Sequence, residues 1–106
     1  MQVKGRIWIE LAEQSMIGGG KAELLDKTAK LGSLRKAATE MQMSYRQAWY
    51  SINQMNTSAP EPLIILKRGG KEGGIAEITN YGKSILKRYK ELQSTFQKFL
   101  SEQNNI

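Results

Sequence analysis

Two spacings of apolar residues alternate along the chain and divide it into segments. Near the amino end Val3, Gly5, Ile7, Ile9 and Leu11 alternate with Lys4, Arg6, Trp8 and Glu10. A period of two predicts a β-strand over residues 3–11, with Trp8 on its mostly polar side. Residues 12–17 carry no period and predict an irregular connection, and Gly18, Gly19 and Gly20 break the chain before a helix. Over residues 21–31 the spacing becomes helical: Leu24, Leu25, Thr28 and Leu31 share one side, and Gly32 follows as a C-terminal cap.

The next stretch, residues 32–56, organises the rest. Ser33 is a short polar residue placed to cap a helix in which Leu34, Ala37, Ala38 and Met41 recur at helical spacing. Gln42 and Met43 make a tight break. Ser44 opens a second helix, and Gln47 three residues later completes a capping-box pattern. Tyr45, Ala48, Trp49, Ile52 and Met55 are expected to form its apolar face. Arg46, Gln47, Tyr50, Asn53 and Gln54 then lie on or beside the other face, a set of groups able to hydrogen-bond base edges and phosphates. Two helices crossing steeply need small residues at the crossing, which Ala37 and Ala38 supply, with Trp49 expected to fill the space beyond. The pair predicts a helix-turn-helix, although an ordinary helical hairpin of a core shows the same local pattern.

Residues 58–62 hold two prolines and read as a linker. Leu63, Ile64, Ile65 and Leu66 predict a short strand over residues 63–67, and residues 75–78 the returning strand. Between them residues 68–74, rich in glycine, form a long basic tip carrying Arg68 and Lys71, with Lys67 at its base. A hairpin directly after a helix-turn-helix is the arrangement of a winged helix. Thr79 then caps a final helix. In it Ile85, Tyr89, Leu92, Phe96 and Phe99 repeat at heptad spacing. The stripe outruns a small domain, which predicts a dimer contact over residues 93–100 and packing on the first helix for its earlier turns. Residues 101–106 are expected to fray.

Composition narrows the function. The 106 residues suggest one domain, residues 1–106, of α+β class and mostly helical. Cysteine and histidine are absent, which removes thiolate chemistry, the commonest general base and the usual metal ligands. No carboxylate pair stands near a plausible nucleophile, so an enzyme is not expected, nor is any metal or cofactor. No apolar run approaches the roughly 20 residues of a membrane span, and no signal-peptide pattern follows Met1; a cytoplasmic protein is expected. The net charge is +6, and residues 27–90 hold twelve Lys or Arg against four acids. A basic middle points to a polyanion. Gly18, Gly19, Gly20 and Lys21 suggest a phosphate loop, but Ser15 and Ala22 stand where that motif needs Gly and Ser or Thr.

The combination Gly32-Ser33-Leu34 with Ala37-Ala38, Ser44-Tyr45 with Ala48-Trp49, Ile52 and Met55-Asn56, then Gly69-Gly70, Gly73-Gly74, Ile78-Thr79, Tyr81-Gly82 and Leu86, resembles the N-terminal DNA-binding domain of the ModE family of molybdate-dependent transcriptional regulators. Leu24-Leu25 agrees with its first helix. The resemblance implies a winged helix-turn-helix homodimer on palindromic double-stranded DNA, with the N-terminal strand and the last helix as dimerisation elements. The family's regulators continue into a molybdate-binding region that this sequence lacks, so molybdate is not expected to bind this chain. On this reading Ser44, Tyr45, Arg46, Gln47, Tyr50 and Asn53 enter the major groove, Arg46 and Gln47 foremost. Ser33, Arg35, Lys67, Arg68 and Lys71 hold phosphates. Ile85, Tyr89, Leu92, Phe96 and Phe99 form the dimer stripe. The competing readings are an oxyanion or small-molecule sensor and a protein-interaction winged helix; the basic exposed residues speak against the latter.

Overall fold

The computed structural model describes residues 1–12, 15–68 and 74–105. Strand β1 (Ile9–Ala12) pairs antiparallel with β2 (Ser15–Ile17), with a bulge between Glu10 and Ala12. The strand expected over residues 3–11 is therefore short, and the stretch read as irregular supplies its partner. A period of two marks a candidate strand; it does not name the partner that the segment meets. Residues 1–8 join no ladder. Val3 and Gly5 instead meet the far end of the chain, as described below.

Helix α1 (Gly19–Leu31) begins inside the glycine run, with Gly18 at its N-cap. The expected break is thus confined to one residue. The first-turn N–H groups have no acceptor within a helix in any case, so glycine costs least there. Leu24, Leu25 and Thr28 are buried, whereas Leu31 turns outward. Gly32 closes the helix at φ +64°, the left-handed conformation that a Cβ disfavours. Helices α2 (Leu34–Glu40) and α3 (Tyr45–Ser58) follow with the expected caps. The Ser33 hydroxyl accepts from the Lys36 N–H at 3.2 Å. Ser44 and Gln47 exchange both bonds of a capping box, at 3.1 and 3.3 Å. Gln42 takes φ 55° in the turn between the two helices. Ala37, Ala38 and Ala48 are all buried, which lets the helix backbones approach closely.

Strands β3 (Ile64–Lys67) and β4 (Ile75–Ile78) pair in register, Ile64 opposite Ile78 and Lys67 opposite Ile75. Hydrogen bonds at three residues, Asn56, Gly32 and Thr79, hold this hairpin to the helices. Asn56, near the end of α3, donates to the Ile64 carbonyl at 2.8 Å and accepts from the N–H groups of Leu63 and Ile64. The Ala76 N–H donates to the carbonyl of Gly32 in the turn between α1 and α2. The Leu63 carbonyl accepts from the N–H of Thr79, and the Thr79 hydroxyl lies 2.7 Å from the Pro62 carbonyl. Each such bond contributes about 1 kcal/mol net, and together they set the hairpin at one angle to α3.

Helix α4 (Asn80–Asn104) starts at the Thr79 cap, whose hydroxyl accepts from Gly82 N–H. At about 1.5 Å per residue it is about 37 Å long, which accounts for a molecule 55 Å in its longest dimension. Its first half closes the core: Leu86 and Tyr89 are buried and Ile85 packs against them. Lys90 reaches Asp26 of α1 at 3.1 Å, beside Lys30 at 3.0 Å. Burial pushes the Asp26 carboxyl up, but hydrogen bonds from both ammonium groups outweigh it and hold the group below the usual carboxylate range. The last turn does not fray as expected. Asn104 donates to the Val3 carbonyl at 3.0 Å and accepts from its N–H at 2.8 Å, treating the amino end as a strand would. Phe96 lies against Gly5, where a Cβ would come within 2.8 Å of its ring. Among the described residues, no helix is long and apolar enough to cross a membrane.

Candidate nucleic-acid interface

Helix α3 contains no acidic residue. Its outer face carries Arg46, Gln47, Tyr50, Asn53 and Gln54, all exposed, as expected. Arg46 sits in the first turn, where the helix dipole disfavours a cation by a few tenths of a kcal/mol or more. Helix stability therefore does not explain that residue, whereas an anion brought to the same helix end does. Gln47 is less free than expected of a base reader, because its side-chain oxygen is engaged by the Ser44 N–H. Tyr50 is 60 % exposed, with the Gln54 amide 3.5 Å from its hydroxyl.

Arg35, Tyr45, Arg46, Lys67 and Arg68 converge on one groove between α3 and the β3–β4 hairpin, a cavity of about 560 Å³. The Arg35 guanidinium lies 4.5 Å over the Tyr45 ring, a contact that orients the cation without neutralising it. Lys67 donates to both carboxylate oxygens of Glu77 at 3.3 Å. Both side chains are more than half exposed, so the pair is worth little in water and yields readily to a phosphate. Ser33 does not join this set: it is buried, and its hydroxyl serves the α2 cap. Lys71 lies outside the described residues.

Trp49 is the largest departure from the sequence reading. It was expected in the core; it is 45 % exposed and lines the groove, with Tyr45 at its rim. Ala48, Ile52 and Met55 are the buried residues of α3, and they span a narrow stripe. At about 100° per residue Trp49 falls about a quarter-turn from the centre of that stripe. That offset was present in the sequence, but an apolar residue beside an apolar stripe reads as a widening of it. Leu66 and Ile75 of the hairpin complete the groove, and nothing in the sequence distinguished them from ordinary strand residues.

The stripe expected to make a dimer contact is likewise divided. Tyr89 is buried and Ile85 is half-buried in the core cluster. Leu92 and Phe96 are half-buried, and Phe99 is 51 % exposed, its ring 6.5 Å from that of Phe96 in a stacked pair.

Comparison with known proteins adds a second line of observation. No family model matches the chain. It is 38 % identical over 80 residues to the molybdenum transport protein ModE of Azotobacter vinelandii, covering 76 % of this chain and 30 % of that protein. It is 33 % identical over 87 residues to the transcriptional regulator ModE of Haemophilus influenzae, covering 82 % of this chain and 34 % of that one. With the DNA-binding transcriptional dual regulator ModE of Escherichia coli K12 it shares 32 % identity over 98 residues, 92 % of this chain and 37 % of the relative. The chain thus spans about a third of the length of the curated relatives it matches.

Proposed function

Because this chain belongs to the ModE family of transcriptional regulators over the part of their length that it spans, we propose that it is a cytoplasmic, sequence-specific regulator. It binds double-stranded DNA as a homodimer on an inverted-repeat operator. The observation that carries the reading is the acid-free outer face of α3, flanked by Arg35 and by Lys67 and Arg68 of the hairpin. A helix presenting one guanidinium, amides and a phenol to solvent matches the donor and acceptor pattern of the major groove. Cations gathered beside it match the phosphates that border the groove. Selection of duplexes from a random pool is the direct test: the enriched sequences should form two half-sites one helical turn apart or a multiple of it.

Arg46 is the assigned base reader. Arg46→Ala should weaken binding to the selected site by about 1–3 kcal/mol and relax preference at one base position. A variant with unaltered sequence preference would move the reading role to Tyr50 or Asn53.

The outer end of α4 is the dimer contact in this reading, with Leu92, Phe96 and Phe99 facing the second copy while Ile85 and Tyr89 stay within their own subunit. The support is the half-exposed, stacked Phe96–Phe99 pair. Phe99→Ser alone preserves the contact of Phe96 with Gly5, and should shift light scattering at micromolar concentration from dimer toward monomer. Adding Phe96→Ser should complete the shift and collapse specific affinity, since one half-site supplies only part of the binding energy. A wild-type monomer, or a double variant that still dimerises, would place any dimer contact elsewhere.

A further inference from the structure

We propose that the groove between α3 and the hairpin seats one sugar–phosphate strand of duplex DNA, with Trp49 packed against a deoxyribose of that strand. The inference rests on the DNA-binding reading above and adds to it an apolar contact that salt does not screen. Three observations support it. First, Trp49, Tyr45 and Ile75 are 45, 38 and 57 % exposed around the groove, and the core beneath is already closed by Ala48, Ile52 and Met55, so the indole is not needed to fill it. Second, Arg35, Arg46 and Arg68 line the same groove, and no acidic residue lines it among the described residues. Third, a nucleic-acid strand alternates an anionic phosphate with the largely apolar face of a sugar, which is the alternation that guanidinium groups around an indole and aliphatic side chains would complement. An acidic small molecule would match the cations but would leave much of the aliphatic surface wet.

The distinguishing property of this contact is its charge neutrality. The slope of log affinity against log salt counts the phosphates neutralised, and Trp49 neutralises none. Trp49→Ala should therefore lower affinity at every salt concentration by about tenfold to a hundredfold with the slope unchanged. Arg35→Ala, which removes a cation assigned to a phosphate, should make the slope shallower by about one. Trp49→Phe, which keeps a flat apolar face, should recover most of the loss.

The test that needs no change at Trp49 uses the full chain with Trp8→Phe, leaving one tryptophan. A mixed-sequence duplex of about three helical turns is titrated in at about 50 mM salt, with binding followed by the anisotropy of a dye on the DNA. Acrylamide quenching then reports on Trp49. Shielding of Trp49 that saturates together with the anisotropy, and a parallel salt slope for Trp49→Ala, are the expected results. Duplex bound with Trp49 as open to acrylamide as before overturns the inference and leaves the DNA-binding reading standing. Duplex not bound at all overturns that reading and the inference with it.

Discussion

Raising the salt concentration from about 50 to about 200 mM is expected to weaken this protein's hold on its DNA site by about ten-thousandfold. The size follows from four cations per subunit assigned to the backbone: Arg35, Lys67 and Arg68 at the groove, and Lys71, the further phosphate contact expected from the sequence. If each meets one phosphate, a dimer neutralises about eight and releases their counterions. At about 0.9 per phosphate the slope of log affinity against log salt is about −7. Lys67 must leave Glu77 to take part, but an exposed ion pair in water offers little resistance to that exchange. Fluorescence anisotropy over a salt series measures the slope directly. A slope near −3 would mean that only one subunit, or only the recognition helix, meets the backbone. A flat line, or no binding to any duplex, would favour a winged helix that serves a protein partner.

The second large effect concerns the joint that orients the hairpin. Gly82 lies where α4 passes the first residue of the hairpin, and a Cβ there would overlap the Leu63 carbonyl and come within 2.9 Å of Ile78 Cγ1. The Leu63 carbonyl cannot move away cheaply. It accepts from the Thr79 N–H, while Leu63 itself is buried and its own N–H is held by Asn56. Gly82→Ala should therefore cost about 3 kcal/mol, the upper end for overpacking, because the clash is with a hydrogen-bonded backbone and not with a side chain free to turn. For a domain of this size the melting temperature should fall by about 12–24 °C, read by circular dichroism at fixed protein concentration so that dimerisation does not confound the comparison. DNA affinity should fall with it even well below the melting point, since displacing Leu63 tilts β3 and carries Lys67 and Arg68 off the groove. An Ala variant that melts normally would show that α4 slides past the hairpin without loss.

Both predictions depend on how α3 and the hairpin are set relative to one another, and this relation was the part hardest to see in the sequence. The sequence by itself determined the segments whose ends are decided within a few residues. Ser33, Ser44 with Gln47, and Thr79 cap three helices because each supplies an acceptor to an N–H group three residues on. Gly32 ends α1 because the left-handed turn there excludes a Cβ at little cost only for glycine. Alternation and turn residues marked the hairpin, and the spacing of Ala48, Ile52 and Met55 marked the inner face of α3. Residues on the opposite side, Arg46, Tyr50 and Asn53, followed from the same geometry.

Only the tertiary structure decided the rest. Whether Trp49 faces core or solvent depends on how wide a surface meets α3. The helix meets α1, α2 and β2 on its inner side, while the hairpin stands off and leaves a groove. No local period encodes that gap. Asn56 looked like one more polar residue at the end of a helix, until its side chain was found joining α3 to three backbone groups of the hairpin, seven and eight residues away. Residues 3–5 showed the alternation of a strand, yet their partner is Phe96 and Asn104, about a hundred positions along the chain. Periodicity marks where apolar residues recur along the chain, but whether each is covered, as Val3 is not, and by what, is set by packing between distant elements, and that is recorded only in three dimensions.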